Sequence, residues 1–521
     1  MKKFLKIVVF LLVIALSALA FKWVYYHNRS LSVEKFNARR ALNDISIIAD
    51  KPHSVFDDSE RDAVRSFLVG RLVQLGGEPI VYDYDSVECK FGKLLNVSNI
   101  YCEFRPGAET EPSSWVLLTA HYDSRYRYVR DNALQISKGA ADDGYGLAVI
   151  LELLRGALSY RGEWNQGIKV IFTDGEEVAM AGSSTLMKMN PSLVDDVGLL
   201  VNIEARGAKG PAMIFESTKG NSKVMDFYFD NSPLPLSYSL SSFVYDRLPS
   251  YTDFQQFSQK CNGLNIAVID NLDIYHSSKD NYNNVSEESL LNYGIQLEPL
   301  LRSFLVGKEY SDPHYFDSEE DMIFFSIPLL GSFSCGKGLW YFLNSLLVLL
   351  FSFIFGIYLS LGKITVKGMM GKSCLILIIA LASAALAAVI GLYSVIPSFW
   401  VFIVVYLVKR KNNTNYPFEM LFGISLLLFI FALVLFIATG ETFVFAIPLF
   451  AILMALMLHL VVFLNNLAAL SASLIVLSGY SFLYILALSL GTMAGIPIAF
   501  LAVMYLTAIV SLFEIFMIQK R

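Results

Sequence analysis

Long apolar runs fill the last third of the chain. A helix needs about 20 apolar residues to cross the hydrocarbon core of a bilayer, so each run predicts a transmembrane helix. The third run is the shortest of the set. Together they predict an all-α polytopic membrane domain over residues 336–521. The seven runs lie near residues 339–361, 374–393, 395–408, 418–438, 442–464, 467–490 and 496–517.

An eighth apolar run, residues 7–21, stands near the amino terminus between three lysines and an aromatic cluster. Lysines before an apolar run and aromatic residues after it are typical of a segment that enters a membrane from the cytoplasmic side. Residues 1–26 are therefore interpreted as a transmembrane signal anchor. The small residues at 18–20 also fit the cleavage site of a signal peptide, so both alternatives stay open.

Basic residues between the runs predict how the chain is oriented in the membrane. Lysine and arginine collect in cytoplasmic loops, and alternating spans place the eight basic residues between and after the seven runs on that side. Both termini are then cytoplasmic, and residues 27–335 form an extracytoplasmic domain. The basic residues are Lys363, Lys367, Lys372, Lys409, Arg410, Lys411, Lys520 and Arg521.

Residues 27–335 have a different pattern, in which short apolar runs alternate with amphipathic segments. The segment 59–77 has helical periodicity, and 146–158 reads as a second helix. Such alternation favours an α/β fold, a mixed, mostly parallel sheet flanked by helices. The four strand-like runs are residues 115–120, 168–173, 198–203 and 264–269.

Polar residues follow each of these predicted strands. Because ligands collect at the carboxyl ends of parallel strands, we expect these side chains to converge. An acidic pair such as Glu176 and Glu177 is by itself typical of a solvated turn, but two imidazoles and several carboxylates together suit zinc. The number of ligands favours two ions over one. The candidate metal ligands are His121, Asp142, Glu177, Glu204 and His276.

Composition narrows the class of protein. The chain has 521 residues, of which 55% are hydrophobic and 17% charged, so part of it must lie in lipid. A net charge of −5 provides no basic field, which argues against nucleic-acid binding. The five cysteines include no CxxC pair. Cys89 and Cys102 could form a disulfide or stay as two free thiols.

Six segments of the extracytoplasmic region resemble, in the same order, the motifs of the M28 family of zinc peptidases. The opening segment and the multispan tail resemble the membrane-bound branch of that family, the endoplasmic reticulum metallopeptidase and vacuolar membrane protease type. The six segments are "AHYDSR" (120–125), "GAADDGYGLAVILELLR" (139–155), "FTDGEEVAMAGS" (172–183), "VNIEARGAKGP" (201–211), "SYTDFQQF" (250–257) and "YHSSKDN" (275–281).

The resemblance implies a zinc aminopeptidase-like fold and two Zn²⁺ ions per chain, held by the five candidate ligands with Asp142 as the bridge. It implies that Glu176 is the general base and that Asp123 orients the His121 ring. The implied activity is hydrolysis of peptide bonds, with removal of amino-terminal residues favoured. Arg206 could pair with a substrate carboxylate, although neutralisation of nearby acids is preferred.

Two alternatives to an active peptidase stay open. One is a receptor or scaffold that keeps the fold without catalysis, and the other is a glutaminyl-cyclase-like enzyme with one zinc. Peptide substrate and the lipid bilayer are the expected partners, and the oligomeric state is left open. A bacterial inner membrane is favoured over an organelle, because the eukaryotic proteins that the chain resembles are generally longer.

Overall fold

The structure is a computed structural model that describes residues 2–26, 35–89, 92–107, 111–130, 132–245, 251–410, 415–461, 467–490 and 495–518. Lys411, Lys520 and Arg521 of the predictions above lie outside the described residues. The chain divides into two compact units. The first contains residues 1–24, 327–331 and 337–521, and the second contains residues 25–326 and 332–336. They are named here the membrane unit and the α/β unit.

The α/β unit is built on a sheet of seven strands within the described residues, in the order β1-β2-β6-β3-β7-β9-β8. The four strands β6, β3, β7 and β9 run parallel, and β1, β2 and β8 complete the sheet through antiparallel pairs. The seven strands are β1 (Ile80–Glu88), β2 (Leu94–Phe104), β3 (Trp115–His121), β6 (Gly167–Thr173), β7 (Val197–Ala205), β8 (Lys209–Ser217) and β9 (Gly263–Asp270). Four more form two-stranded sheets, β4 (Tyr128–Arg130) with β5 (Ala133–Gln135) and β10 (Met322–Ile327) with β11 (Gly331–Gly336).

Continuous apolar sequence explains why the parallel strands lie at the centre. Every residue of β3, β6 and β7 is buried, as expected for strands covered on both faces. Helices α2, α4 and α9 pack together with the largest hydrophobic core, and α5 and α8 pack together as well. The helices are α2 (Ala38–Ile48), α3 (Asp58–Gln74), α4 (Gly144–Leu158), α5 (Ala181–Met189), α6 (Ser222–Asn231), α7 (Ser239–Tyr245), α8 (Phe254–Phe257) and α9 (Glu287–Val306).

The predicted fold of this unit is confirmed: a mixed, mostly parallel sheet is flanked by helices. Each of the four predicted strands is present, longer by one to three residues. The predicted helix at 146–158 begins two residues earlier, at Gly144. Cys89 and Cys102 are both free and buried, and they belong to different hydrophobic clusters. The alternative with two free thiols is therefore the one that the structure contains.

The membrane unit is all-α, as predicted, and every predicted apolar run coincides with a helix. Six described helices are long and apolar enough to cross a membrane, α1 and five after residue 336. The apolar parts of α12 and α15, Val395–Val408 and Leu467–Leu483, are shorter. The chain is therefore a multi-pass membrane protein, while the count of seven spans after residue 336 stays a prediction. The helices are α1 (Lys2–Tyr26), α10 (Lys337–Ser360), α11 (Val366–Ile390), α12 (Val395–Arg410), α13 (Tyr416–Thr439), α14 (Phe443–Val461), α15 (Leu467–Leu490) and α16 (Gly495–Met517).

A polar contact joins α11 and α13 inside the membrane unit. Lys372 Nζ lies 3.6 Å from Glu419 Oε2, and Thr365 donates a hydrogen bond to the same carboxylate over 3.1 Å. Both charged side chains are mostly buried. A buried charge of this kind is tolerated because it has a partner, so the pair fixes how the two helices meet.

Candidate metal centre

The candidate ligands all come from the carboxyl end of the parallel strands. His121 is the last residue of β3, and Glu204 stands one residue before the end of β7. Glu177 follows β6 in a short 3-10 turn, and His276 follows β9. Asp142 lies two residues before α4 begins. The structure therefore brings all five predicted ligands to one edge of the sheet.

His121 is oriented by the chain directly after it. Its Nδ1 donates a hydrogen bond to the main-chain oxygen of Asp123 over 2.9 Å, which leaves a lone pair on Nε2. That Nε2 lies 3.1 Å from Asp142 Oδ1 and 4.0 Å from Glu204 Oε2. The Asp123 carboxylate, which the resemblance assigns to the His121 ring, lies 3.5 Å from Nδ1 and makes its closer contacts elsewhere.

His276 faces the other oxygen of the same aspartate. Its Nε2 lies 3.3 Å from Asp142 Oδ2 and 3.2 Å from Glu177 Oε1. The backbone of His276 has φ of 51°, a left-handed value that is uncommon for residues other than glycine and that often marks functional sites. Asp142 therefore stands between two imidazoles, with one oxygen toward each.

The potential ligand atoms fall into two groups, each with one imidazole and two carboxylates, within 4.8 Å of one another. One group is Asp142, Glu177 and His276, and the other is His121, Asp143 and Glu204. Asp143 was not among the predicted ligands. Its Oδ1 caps α4 by accepting a hydrogen bond from Gly146 N, while its Oδ2 is buried without a hydrogen-bond partner. The only sequence signal for it is that it follows Asp142.

The two adjacent glutamates diverge because of the turn that carries them. Gly175 has φ of 71°, which glycine adopts at little cost, and it starts the 3-10 turn Glu176–Val178. The Asp123 carboxylate accepts hydrogen bonds from Glu176 N (3.0 Å) and Glu177 N (3.3 Å) and so fixes the turn. Glu177 is buried and contacts His276, while Glu176 is half-buried beside it.

Arg125 holds the remaining oxygen of Glu177. Its Nη1 donates to Glu177 Oε2 over 2.7 Å and to the Glu177 carbonyl over 3.0 Å. Glu177 Oε1 is left buried without a hydrogen-bond partner and faces His276. One oxygen of Glu177 is thus committed to the protein, and the other is available to a cation. Sequence reasoning did not single out Arg125.

Crowding of like charges shifts the acidity of the site. Burial, with Glu204 and Glu177 nearby, raises the pKa of Glu176 well above its usual range. Burial and Asp142 raise the pKa of Glu204 to about 8. Burial would lower the pKa of His276, but Glu177 and Asp142 outweigh it and raise that pKa to about 9. Clusters of strongly shifted pKa values are typical of functional sites.

Two further aspartates brace the segments that carry the candidates. Asp253, in the "SYTDFQQF" segment, accepts hydrogen bonds from Thr173 and Ser183 on either side of the Glu176 turn. Asp280, in the "YHSSKDN" segment, accepts from Ala141 N over 2.7 Å, next to Asp142. Both are buried, and both belong to motifs quoted for the resemblance without having been assigned a role.

His53 lies behind this edge of the sheet. Its ring is buried, its Nδ1 donates to the Lys51 carbonyl over 2.9 Å, and its main-chain N donates to Ser124 Oγ over 2.9 Å. Burial lowers the pKa of His53, so the ring is neutral at pH 7. His53 thus joins the segment before α3 to the loop that carries Asp123 and Arg125.

Comparison with known proteins identifies the family. Residues 99–299, which include all five candidate ligands, match the model of peptidase family M28. This domain belongs to peptidase family M28. The resemblance noted in the sequence is therefore confirmed, including its membrane-bound branch, because the matching relatives are membrane proteases.

Curated relatives of the M28 domain belong to much longer proteins. A vacuolar membrane protease of Schizosaccharomyces pombe is 26% identical over 268 residues, 48% of this chain and 30% of that protein. A putative endoplasmic reticulum metallopeptidase 1 of the same yeast is 31% identical over 221 residues, 42% of this chain and 25% of that protein. Among solved structures, a Zn-dependent exopeptidase from Parabacteroides distasonis matches with a TM-score of 0.42 and 19% identity, covering 53% of this chain and 100% of that one.

The M28 domain has a donor set that fits zinc. Asp142 Oδ2 and Glu177 Oε1 are buried carboxylate oxygens that both face His276 Nε2, at 3.3 and 3.2 Å, and the described residues give them no hydrogen bond. Buried carboxylates are costly unless a cation neutralises them. Imidazole nitrogen and carboxylate oxygen are the ligands that catalytic zinc sites use.

Proposed function

We propose that this chain is a membrane-anchored peptidase that uses two zinc ions to hydrolyse peptide bonds and removes amino-terminal residues. The observation that carries the proposal is the position of Asp142, whose two oxygens face the imidazoles of His121 and His276 at 3.1 and 3.3 Å. A carboxylate shared between two imidazole groups is the arrangement that a bridged pair of ions requires.

Each ion would have its own protein ligands. His121 and Glu204 would hold one, with Asp143 beside them, and Glu177 and His276 would hold the other, with Asp142 shared. When bound, zinc supplies a Lewis acid that polarises a carbonyl and makes water more acidic. Arg125 keeps Glu177 Oε2 occupied, so Glu177 would offer a single oxygen.

Glu176 is proposed as the general base. It is the half-buried neighbour of a ligand on a fixed turn, and burial among carboxylates raises its pKa. A carboxylate with a raised pKa can take a proton from the attacking water and deliver it to the leaving amine. Several acidic side chains surround the site, and negative charge attracts the protonated amino terminus of a peptide substrate. This supports removal of amino-terminal residues.

The membrane unit would keep the M28 domain beside its substrates on the extracytoplasmic side. The support is the distribution of lysine and arginine in the loops, with both termini in the cytoplasm. We propose a bacterial inner membrane as the location. Peptides are the substrates, and lipid surrounds the apolar helices.

The proposal is tested by comparing the full-length protein in detergent with its Glu176→Gln variant. We expect the variant to retain zinc and to lose about 100-fold or more in kcat on short peptides, because the general base is gone. Glu163→Gln is the matched control, since Glu163 is an exposed glutamate that pairs with Arg302 in the same domain. The control should match the wild type.

Four results would contradict parts of the proposal. Equal kcat in wild type and Glu176→Gln would remove the assigned base. Cleavage of amino-blocked peptides but not of free-amine peptides would exclude aminopeptidase activity. One zinc per chain, together with cyclisation of amino-terminal glutamine, would favour the glutaminyl-cyclase-like alternative, and no turnover of any substrate would favour the silent scaffold.

A further inference from the structure

Arg206 lies at the same edge of the sheet as the candidate ligands and is not used by the proposed chemistry. It follows β7 directly, two residues beyond Glu204. Its main-chain N donates to Val268 O over 3.0 Å, and Gly207 N donates to the same oxygen over 2.8 Å. The backbone that carries the guanidinium is therefore anchored to β9.

The Arg206 side chain is positioned by an aromatic ring. Its Cζ lies 5.7 Å from the centre of the Tyr275 ring, a distance typical of a cation–π contact. The Tyr275 ring in turn stacks on the His276 ring, with 3.7 Å between the centroids. One ring thus separates the guanidinium from an imidazole that faces Asp142 and Glu177.

The described residues supply no carboxylate partner for this guanidinium. Arg206 Nε is buried without a hydrogen-bond partner, and among the described residues no carboxylate forms an ion pair with the side chain. Arg125 differs in that Glu177 uses its Nη1. Neutralisation of nearby acids, the preferred interpretation of Arg206 from the sequence, would thus have to act without an ion pair among the described residues.

We infer that Arg206 binds a carboxylate of the substrate on the leaving-group side of the scissile bond. An arginine has a planar fork of donors that matches a carboxylate, and an anchored, unpaired one needs little reorganisation to bind it. The carboxylate is either the α-carboxylate of a dipeptide or an acidic side chain directly after the scissile bond. This inference rests on the proposed hydrolysis at the same site.

The kinetic test uses full-length zinc-loaded protein and three substrates, Ala-Ala, Ala-Ala-amide and Ala-Asp-amide. Wild type should show a lower KM for a substrate with a carboxylate than for Ala-Ala-amide. In Arg206→Gln we expect KM to rise about 10- to 100-fold for the carboxylate substrates only, the effect of losing a charge-assisted contact. Arg206→Lys should recover part of it.

The substrate whose KM rises in Arg206→Gln identifies the source of the carboxylate. A penalty on Ala-Ala alone assigns the α-carboxylate, and a penalty on Ala-Asp-amide alone assigns the side chain. Arg302→Gln is the matched control, because it removes an exposed, paired arginine from α9. An equal loss on all three substrates would overturn the inference and make Arg206 a support for Tyr275. No loss on any would also overturn it.

A binding measurement separates this inference from the proposed function. Calorimetric titration of Ala-Ala, Ala-Asp-amide and Ala-Ala-amide into Glu176→Gln, with and without Arg206→Gln, reports carboxylate binding without turnover. Weaker binding of Ala-Ala or Ala-Asp-amide in the double variant, with unchanged binding of Ala-Ala-amide, supports the inference even if the assigned base proves wrong. Unchanged binding of both carboxylate substrates refutes it even if Glu176 is essential for hydrolysis.

Discussion

Side chains of the candidate metal centre are held in place by neighbouring residues, and neighbouring charges also shift their pKa values. His121 is fixed by the Asp123 carbonyl, and Glu177 by Arg125. Glu204 and His276 carry raised pKa values, about 8 and about 9, so without metal both hold a proton at pH 7. Zinc binds only the deprotonated forms, and binding must therefore release protons.

From these pKa values we predict that zinc affinity rises with pH between about 6 and 9. As pH falls below the raised values, protons compete with zinc and the affinity decreases. Calorimetric titration of apo protein in buffers of different ionisation enthalpy measures the protons released. His314→Ala, at an exposed histidine paired with Asp317, should leave the pH dependence unchanged. A dissociation constant that does not vary with pH would contradict the prediction.

At the scale of elements, the site depends on how closely α5 approaches the turn after β6. A Cβ at Gly182 would lie 2.0 Å from the main-chain oxygen of Asp174, which cannot move without shifting the Glu176 turn. The sequence shows a glycine in the "MAGS" segment. It does not show that this glycine faces a carbonyl from the preceding strand.

We predict that Gly182→Ala lowers the free energy of unfolding by about 1–3 kcal/mol through overpacking, and that it reduces hydrolysis as well. Thermal unfolding and peptide turnover of the same preparation measure both effects. Gly70→Ala in α3 is the control, because its Cβ would meet nothing within 4 Å and alanine is the better helix former. Equal stability of the two variants would contradict the packing argument.

At the scale of the whole molecule, the orientation depends on whether α12 crosses the membrane. With 16 residues it spans about 24 Å, less than the hydrocarbon core of about 30 Å. The basic residues Lys409 and Arg410 at its end nevertheless predict a crossing that ends in the cytoplasm.

A reporter fused after Gly440, between α13 and α14, distinguishes the two topologies. We predict that alkaline phosphatase is active there and that green fluorescent protein is not, because seven crossings put this loop outside. A fusion after Lys363 should give the opposite result in either topology and serves as the control. If green fluorescent protein fused after Gly440 is fluorescent and alkaline phosphatase there is inactive, the loop is cytoplasmic. In that case α12 does not cross the membrane and the later spans are inverted.

The sequence by itself determined the four central strands, the apolar helices and the zinc peptidase family. Apolar runs predicted β3, β6, β7 and β9, because strands buried on both faces need apolar residues throughout. His121, Glu204 and His276 stand at or after the ends of these strands. The rule that ligands bind at the carboxyl ends of parallel strands predicted that their side chains converge. Residue type and order along the chain carry this information, because each apolar run and the polar residues after it lie within a few consecutive residues.

Only the tertiary structure decided which side chains meet across distant segments. The pairing of Arg125 with Glu177, the place of Asp143 beside Glu204, and the unpaired guanidinium of Arg206 depend on loops that are far apart in sequence. Partner choice is a balance of distance, burial and charge among residues from separate strands. No periodicity along the chain encodes it, and for that reason the contacts became visible only when the sheet brought its strand ends together.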